Sequence, residues 1–270
     1  ISNDPYWWQA ASPQDFHIDS WPERADVVII GGGYTGFGAA IPLGRAGLNV
    51  VILERDQIGS GASTRNGGIT SGNLRLSFES LVKRFGAEKA LAFYQEAKAA
   101  RADLSQFITN EKIDCNLHQC GRLVGALRLE SLDSMKRDAD RLTKLLGIDA
   151  TVYDRASLPD YIDTPRYCGG MVRNDIGGIH PAKLLAGMCQ IARAASVKIA
   201  TQTKVIAVSR LSRSPTNEFR VETNRGAIHA GHIISATNAY TEKAQPWLHR
   251  RLVPVISEMI ATEELGENMV

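Results

Sequence analysis

The sequence predicts an α/β fold built on a parallel sheet, and three consecutive features of residues 26–54 indicate it. A short apolar, β-branched run at 26–30 is typical of a buried parallel strand. A glycine-rich turn follows, and residues 34–46 then have the composition of a helix. A second apolar strand at 49–53 ends at Glu54. Together these features predict one strand–turn–helix–strand unit.

The turn carries Gly31, Gly33 and Gly36 in the spacing G-x-G-x-x-G, which is typical of dinucleotide-binding turns. The first glycine permits the tight turn, the second lets a pyrophosphate approach the backbone, and the third lets the helix pack closely. The first helical N–H groups, beginning at Tyr34 and Thr35, are expected to point at the phosphates. The alternative is a glycine-rich turn without a ligand.

Glu54 ends the second strand, 18 residues after Gly36. Its two oxygens can accept both hydroxyls of an adenosine ribose, whereas its charge would repel a 2′-phosphate and so disfavours NADP. Pro42 lies inside the predicted helix and lacks the N–H that would bond to Gly38, which predicts a bend.

Composition excludes several classes of protein. The 270 residues are enough for one large or two ordinary domains, and the apolar fraction of 44% is typical of globular proteins. A net charge of +2 argues against a nucleic-acid interface or a polybasic membrane patch. No apolar run approaches a membrane span, and the first residues lack a secretion-signal pattern, so a cytoplasmic location is expected.

The four cysteines, Cys115, Cys120, Cys168 and Cys189, form no C-x-x-C pair and accompany no histidine cluster. They are therefore expected to be small buried residues in a reducing compartment, and no metal site is predicted.

Residues 59–72 form a second informative stretch, with five glycines and five Ser or Thr residues around Arg65 and Asn66. Such a loop offers many backbone donors and permits close approach of a ligand. A flexible surface loop is the alternative, but the adjacent dinucleotide unit favours cofactor binding. Near the beginning of the chain, Tyr6, Trp7, Trp8 and Trp21 are expected to pin an arm to the domain surface, or less simply to form an aromatic ligand platform.

The remaining elements follow from hydrophobic periodicity. Helices are predicted at 81–110, 130–146 and 182–195, with Gly147 ending the second and Pro181 opening the third. The first of these has one apolar stripe, formed by Ala90, Phe93, Ala97, Ala100, Leu104 and Phe107. Strands are predicted at 117–127, 167–173, 198–200, 203–209, 219–223, 229–235 and 252–262, with a hairpin turn at 224–226.

Four stretches together resemble the flavin-dependent amine and amino-acid oxidase family, which includes D-amino-acid, sarcosine and glycine oxidases. They are the fingerprint from Val28 to Glu54, GSGASTRNGG at 59–68, GGIHP at 177–181 and ATNAYT at 236–241. With the early YWW, they are most similar to the γ-glutamylputrescine oxidase branch. The resemblance covers nearly the whole chain.

The resemblance implies a glutathione-reductase-like FAD-binding Rossmann domain with an interleaved α+β substrate domain. The arm would comprise 1–21, the FAD-binding domain 22–80 and 174–243, and the substrate domain with its connecting helices 81–173 and 244–270. Family members are longer, so the chain is expected to be incomplete as an enzyme. The segment 252–262 would be the first strand of a return to the substrate sheet.

The cofactor implied is FAD, bound without a covalent link. The resemblance and the motifs assign it the residues Gly31, Gly33, Tyr34, Thr35, Gly36, Glu54, Arg55, Gly61, Ala62, Ser63, Arg65, Asn66, Gly67, Gly68, Val205, Ala236 and Thr237. Asn238 departs from the family, where many members have glycine, so a differently shaped turn is expected there.

The activity implied is oxidation of a CH–NH donor, an amine or amino acid, with oxygen or another electron acceptor. The candidate catalytic residues are Arg65, as a cation near the flavin, and His180, near the substrate. Arg65 is equally well explained as a salt bridge or phosphate contact, and His180 as a turn or capping residue. The alternative functions are a dehydrogenase that uses another acceptor, a non-catalytic FAD-binding fragment, and an NAD-binding module, which the 59–68 loop disfavours.

Overall fold

The computed structural model describes residues 3–211, 218–255 and 259–262. The chain divides into two compact units, a first unit of residues 1–67 with 181–270 and a second unit of residues 68–180. The division at 80/81, 173/174 and 243/244 assigned from the sequence stays a prediction.

The strands, in chain order, are β1 (Arg24–Ile30), β2 (Val50–Leu53), β3 (Ile69–Thr70), β4 (Arg122–Ala126), β5 (Ala150–Asp154), β6 (Gly169–Arg173), β7 (Gly177–Gly178), β8 (Lys198–Ala200), β9 (Val205–Arg210), β10 (Phe219–Thr223) and β11 (Gly226–Ser235). The α-helices are α1 (Tyr34–Arg45), α2 (Phe78–Phe85), α3 (Ala87–Asn110), α4 (Leu129–Leu146), α5 (Pro181–Ala194) and α6 (Pro246–His249). Short 3₁₀ helices lie at Tyr6–Gln9, Ala62–Thr64, Arg155–Asp160 and Asn238–Tyr240.

The first unit is built on a six-stranded sheet in the order β8-β2-β1-β11-β10-β9. The strands β8, β2, β1 and β11 run parallel, while β10 and β9 are antiparallel additions. Ile30 pairs with Leu53 on one side and Ser235 on the other, so three carboxyl ends meet at one edge. The predicted α/β class is confirmed.

The two parallel strands β1 and β2 are largely buried on both faces, as their apolar sequences predict. All four residues of β2 are buried. One face joins the apolar side chains of β1 and β2 to those of the neighbouring strands, including Val221 of β10 and Ile228 of β11. On the other face Ile29 lies against Gly36 of α1, and α1 packs on α5. The bend expected at Pro42 stays a prediction.

The second unit holds an antiparallel sheet in the order β4-β6-β5, the two-stranded sheet β3-β7, and helices α2 to α4. The apolar face of α4 is confirmed, since Leu142 and Leu146 form a buried cluster with Ile148. Gly147 takes a left-handed conformation at the end of α4, as a helix-ending glycine does.

Two predictions in this unit are wrong. The helix at 81–110 is two helices, because Gly86 lies between them with φ +86°. Its apolar stripe is not buried throughout: Ala90 is buried, but Ala100 is exposed and Phe93 is 45% exposed. The Phe93 ring instead packs edge-on against Phe85 of α2, with centroids 5.6 Å apart.

The strands of the second unit also differ from those predicted from the sequence. The strand β5 was not predicted, and the strand expected at 117–127 spans only Arg122–Ala126, because Gly121 before it has φ +74°. The cysteines are free, and Cys115 and Cys189 are buried as expected, but Cys168 is half-buried and Cys120 is exposed.

The strand predicted at 252–262 is wrong for the residues that can be described. Residues 252–255 and 259–262 form no strand, and Val253 and Val255 are 84% and 83% exposed. Residues 256–258 lie outside the described part of the chain. A strand needs a hydrogen-bonding neighbour, and this segment pairs with none of the described strands.

Within the described ranges, no helix is long and apolar enough to cross a membrane. No group of three or more His, Cys, Asp or Glu side chains among those same residues could hold a metal ion.

Candidate functional site

A cavity of about 420 Å³ opens at the carboxyl edge of the parallel strands in the first unit. Its walls come from the turn after β1, the residues after β2, the loop at 59–63, the start of β9 and the segment after β11. Ligands of parallel α/β sheets bind at this edge, and the volume lies within the range of small-molecule and cofactor sites. The cavity is therefore the candidate functional site.

The glycine turn after β1 is built by close backbone contacts. Gly31 has φ +110°, and a Cβ there would lie 2.6 Å from the carbonyl oxygen of Ala236. The Ala236 N–H in turn donates to the Ile30 carbonyl at 2.8 Å. A Cβ at Gly36 would lie only 2.1 Å from the Gly31 carbonyl oxygen. A side chain at either position would push α1 or the end of β11 away from β1.

The N-terminus of α1 points at the cavity lining. Gly33 is its N-cap residue, and the Tyr34 N–H donates to the Ser63 hydroxyl at 3.1 Å. The N–H groups of a first helical turn have no partners within the helix and carry the positive end of its dipole. This end of the cavity therefore favours an oxygen-rich, negatively charged group.

Glu54 is half-buried at the end of β2, where two backbone groups orient its carboxylate. Oε2 accepts the Gly32 N–H at 2.7 Å, and Oε1 accepts the Asp56 N–H at 3.0 Å. A carboxylate oxygen can accept more than one hydrogen bond, so these contacts leave capacity for the hydroxyls of a sugar. The carboxylate is held at the cavity wall in one orientation.

Ion pairs cross the rim of the cavity. The Glu242 carboxylate lies 2.6 Å from Lys204 Nζ and 2.5 Å from Arg55 Nη1. The hydrogen bond from Lys204 holds the pKa of Glu242 below its ordinary value, and the bond to Asp56 raises the pKa of Arg55. Because these side chains remain substantially exposed, each pair contributes little to stability. They tie the segment after β11 to the ends of two other elements.

The turn after β11 places Asn238 in a left-handed conformation. Asn238 has φ +48°, in the left-handed region that asparagine tolerates better than other non-glycine residues. The differently shaped turn expected from this residue stays a prediction. Nearby, the Tyr240 ring approaches Gly61 so closely that a Cβ there would lie 3.0 Å from Cε2.

The structure brings most of the predicted cofactor residues to one cavity. Those in its lining are Gly31, Gly33, Tyr34, Thr35, Glu54, Arg55, Gly61, Ala62, Ser63, Val205, Ala236 and Thr237. Gly36, Arg65, Asn66 and Gly67 belong to the first unit but lie outside the lining, and Gly68 belongs to the second unit. Their assignment to the cofactor stays a prediction.

The two predicted catalytic residues have defined backbone contacts. Arg65 donates from Nε to the Ser60 carbonyl at 2.8 Å and from Nη1 to the Asn3 carbonyl at 2.9 Å. His180 is the last residue of the second unit, and its backbone N–H donates to the Cys115 carbonyl at 2.7 Å. Both catalytic assignments stay predictions.

Several lining residues were not identified from the sequence. Gly32 lies two residues after β1 and Thr203 two residues before β9, and such positions were a usable signal. The Thr203 N–H donates to the Glu54 carbonyl at 2.8 Å and so closes the wall beside it. Glu242 carried no local signal, because its partners come from distant parts of the chain.

A parallel sheet with this turn, this helix N-terminus and an acidic residue ending its second strand defines a dinucleotide-binding fold. Residues 26–269 match the family described as FAD dependent oxidoreductase. The chain belongs to that family, and its cofactor is FAD. The resemblance stated from the sequence motifs is confirmed.

The chain is similar to gamma-glutamylputrescine oxidoreductase from Escherichia coli strain K12, with 28% identity over 90% of the chain and 56% of that protein. It thus spans little more than half the length of this relative. Among solved structures, L-amino acid deaminase from Proteus vulgaris aligns over 87% of the chain and 59% of its own, with a TM-score of 0.71 and 21% identity. Glycine oxidase from Geobacillus kaustophilus aligns over 84% of the chain and 59% of its own length, with a TM-score of 0.69 and 21% identity. The two structures support the fold.

Proposed function

We propose that this protein oxidises the C–N bond of an amine or amino acid with FAD as its oxidant. The observation that carries the proposal is the cavity at the carboxyl edge, whose lining combines the oriented Glu54 carboxylate, the glycine turn and the N-terminus of α1. Membership of the FAD dependent oxidoreductase family supports the cofactor. The amine is suggested by the similarity to gamma-glutamylputrescine oxidoreductase.

The residues of the cavity fit the adenosine end of FAD. The Glu54 carboxylate is oriented by the Gly32 and Asp56 N–H groups and would accept the ribose hydroxyls. Val205 opens β9 at the same wall, where its backbone would meet the adenine. Because Glu54 is negatively charged, a cofactor without a 2′-phosphate is favoured.

The pyrophosphate would lie over the N-terminus of α1. Its charge would be stabilised by the helix dipole and by the backbone N–H groups of the turn. Ser63 lies within hydrogen-bonding distance of the Tyr34 N–H, so its hydroxyl marks the place where an acceptor oxygen fits. The glycines at 31, 33 and 61 keep side chains out of this path.

When bound, FAD would supply the oxidant for removal of a hydride from the substrate α-carbon, and the resulting imine would be hydrolysed by water. The contribution of the chain is to hold the cofactor in one orientation and to supply charge. Arg65 is the proposed cation, and His180 is the proposed residue near the substrate. Neither acts as a nucleophile, so the reaction depends on positioning.

The test is anaerobic mixing of the flavin-loaded protein with a panel of amines and amino acids, followed by absorbance of the oxidised flavin. We expect bleaching with at least one amine, and recovery when oxygen or an artificial acceptor is admitted. Dithionite is the control, because it should bleach the bound flavin regardless of substrate. A protein whose flavin responds to dithionite but to no amine or amino acid would contradict the proposed activity while leaving the cofactor in place.

A further inference from the structure

We propose that Trp7 is a positioning residue for the cofactor, acting through the loop of residues 59–67. This inference rests on the proposed FAD site. The starting observation is that the arm before β1 lies along that loop and binds it through hydrogen bonds. No motif in the sequence assigns the arm a part in cofactor binding.

The central contact joins Trp7 to the loop backbone. The Trp7 indole N–H donates to the carbonyl oxygen of Asn66 at 2.8 Å. The Asn66 side-chain amide continues the connection by donating to the carbonyls of Ala62 at 3.0 Å and Ser63 at 2.9 Å. Ser63 then accepts the Tyr34 N–H at the start of α1. A short chain of hydrogen bonds therefore links the arm to the helix end where the pyrophosphate would lie.

A second contact holds the same loop from the neighbouring residue. Arg65 donates to the Asn3 carbonyl in the arm and to the Ser60 carbonyl in the loop. Trp8, one residue after Trp7, borders a small hollow with Thr64 and Leu185. The arm thus binds two consecutive loop residues, Arg65 and Asn66, and borders a hollow beside Thr64.

The loop needs such support because of its own composition. Glycine-rich segments lose more backbone entropy on ordering than other sequences do. Three of the residues at 59–67 are glycine, and their neighbours have short side chains. A contact that orders the loop before FAD arrives reduces the entropy cost of binding. Trp7 would therefore raise the affinity for FAD without touching it.

The experiment compares Trp7→Phe with Trp21→Phe. The first substitution removes the indole N–H and keeps an aromatic ring beside the loop. The second removes a similar bond, from Trp21 Nε1 to the Ala227 carbonyl at 3.3 Å, at the β10–β11 hairpin outside the cavity lining. The Kd and dissociation rate of FAD are measured by flavin fluorescence on apoprotein, together with the Tm of each apoprotein.

We expect Trp7→Phe to raise the Kd of FAD by about threefold to tenfold, the equivalent of one lost hydrogen bond, mainly through faster dissociation. Trp7→Ala should raise it further, because the ring contact is lost too. Trp21→Phe should change the Kd by less than about twofold, even if it lowers the Tm as much as Trp7→Phe does.

An unchanged Kd in Trp7→Phe, with the wild type binding FAD, would overturn the role of Trp7 alone. An equal rise in Trp21→Phe would also overturn it, since the effect would then be general loss of packing. A wild-type protein that binds no FAD would overturn the cofactor site itself, and the inference with it.

Discussion

Each of the two units holds a cavity, and the groups that line the two cavities differ in kind. The cavity of the first unit lies at the ends of parallel strands, and glycines and short side chains form much of its lining. The cavity of the second unit, about 190 Å³, is formed by long side chains between α2, α3, α4 and the antiparallel sheet. Both cavities have charged pairs, but those of the first cavity lie at its exposed rim, whereas in the second the lining residues Arg141 and Arg173 are themselves paired.

The pairing in the second unit is extensive. Arg173 is buried and forms a bidentate pair with Asp175, at 2.9 and 2.7 Å, and a further bond with Asn73. Arg141 pairs with Glu79 at 2.9 Å and Asp138 at 3.0 Å. A ligand would have to break these pairs, whereas the first cavity offers a helix N-terminus and an oriented carboxylate. Volume alone therefore does not identify a binding site.

Among the substitutions considered, Gly36→Ala in the first unit should cause the largest loss of stability and of FAD binding. The new Cβ would lie 2.1 Å from the Gly31 carbonyl, so α1 would have to move away from β1. We expect the free energy of unfolding to fall by more than about 3 kcal/mol and FAD binding to be lost. Urea unfolding followed by tryptophan fluorescence reports on this unit, because all four tryptophans belong to it.

Gly38→Ala is the matched control in the same helix. A Cβ at that position meets nothing within 4 Å, so the variant should gain about 0.5 to 1 kcal/mol from higher helix propensity and keep FAD. Equal behaviour of the two variants would show that α1 does not pack on the turn as described.

The complementary change in the second unit is Arg173→Met. It leaves Asp175, whose side chain is 20% exposed, without its two charge-assisted hydrogen bonds. We expect this unit to lose about 3 kcal/mol of stability, measured by hydrogen exchange of the β4–β6 amides, while the Kd of FAD stays within about twofold. Lys144→Met, which breaks only the exposed pair with Asp140, should change stability by less than about 0.5 kcal/mol. A large rise in the Kd for FAD would mean that the second cavity takes part in cofactor binding.

A smaller effect on FAD binding is expected to distinguish Glu54 from Glu242, two of the carboxylates that line the first cavity. Glu54→Gln keeps size and removes charge, so we expect FAD to bind about tenfold more weakly or worse, by titration of apoprotein. Glu242→Gln makes the same chemical change at the exposed rim and should weaken binding by less than about twofold. If the order were reversed, the rim ion pairs rather than Glu54 would hold the cofactor.

The smallest expected difference between the two units is in the reactivity of their cysteine thiols, and it can be measured on the unmodified sequence. Burial raises the pKa of the Cys189 thiol in α5 to about 12, so almost no thiolate exists at pH 8. Cys120, in the second unit, is exposed. Iodoacetamide should label Cys120 in the native protein and Cys189 only after denaturation, as read by peptide mass spectrometry. Rapid native labelling of Cys189 would indicate that α5 does not pack as described.

The first unit was predicted well because its determinants are local. The glycine spacing, the apolar strands and Glu54 all lie between residues 26 and 54, and each has one physical explanation. The N-terminal arm was also expected to bind the surface, and Trp7, Trp8 and Trp21 do contact it. Tyr6, by contrast, is 54% exposed.

The features that the sequence did not predict mostly depend on residues that are distant in the chain. The strand β5 has only half-buried or exposed residues, so its pattern is weak, and it exists because it pairs along β6. Gly86 is one glycine in an otherwise helical stretch, and its left-handed conformation cannot be distinguished from a tolerated helical glycine by pattern. The contact from Trp7 to Asn66 spans 59 residues and leaves no periodic signal.

The place of β11 in the sheet has a consequence for biosynthesis. This strand lies beside β1, yet more than 170 residues separate Leu53 from Gly226 in the chain. At 5 to 20 residues per second, the ribosome needs roughly 9 to 34 s to cross that interval. During this time the nascent chain has the glycine turn but not Ala236, which packs against it. The second unit, contiguous in sequence, is synthesised completely within the same interval, so flavin loading must follow its emergence.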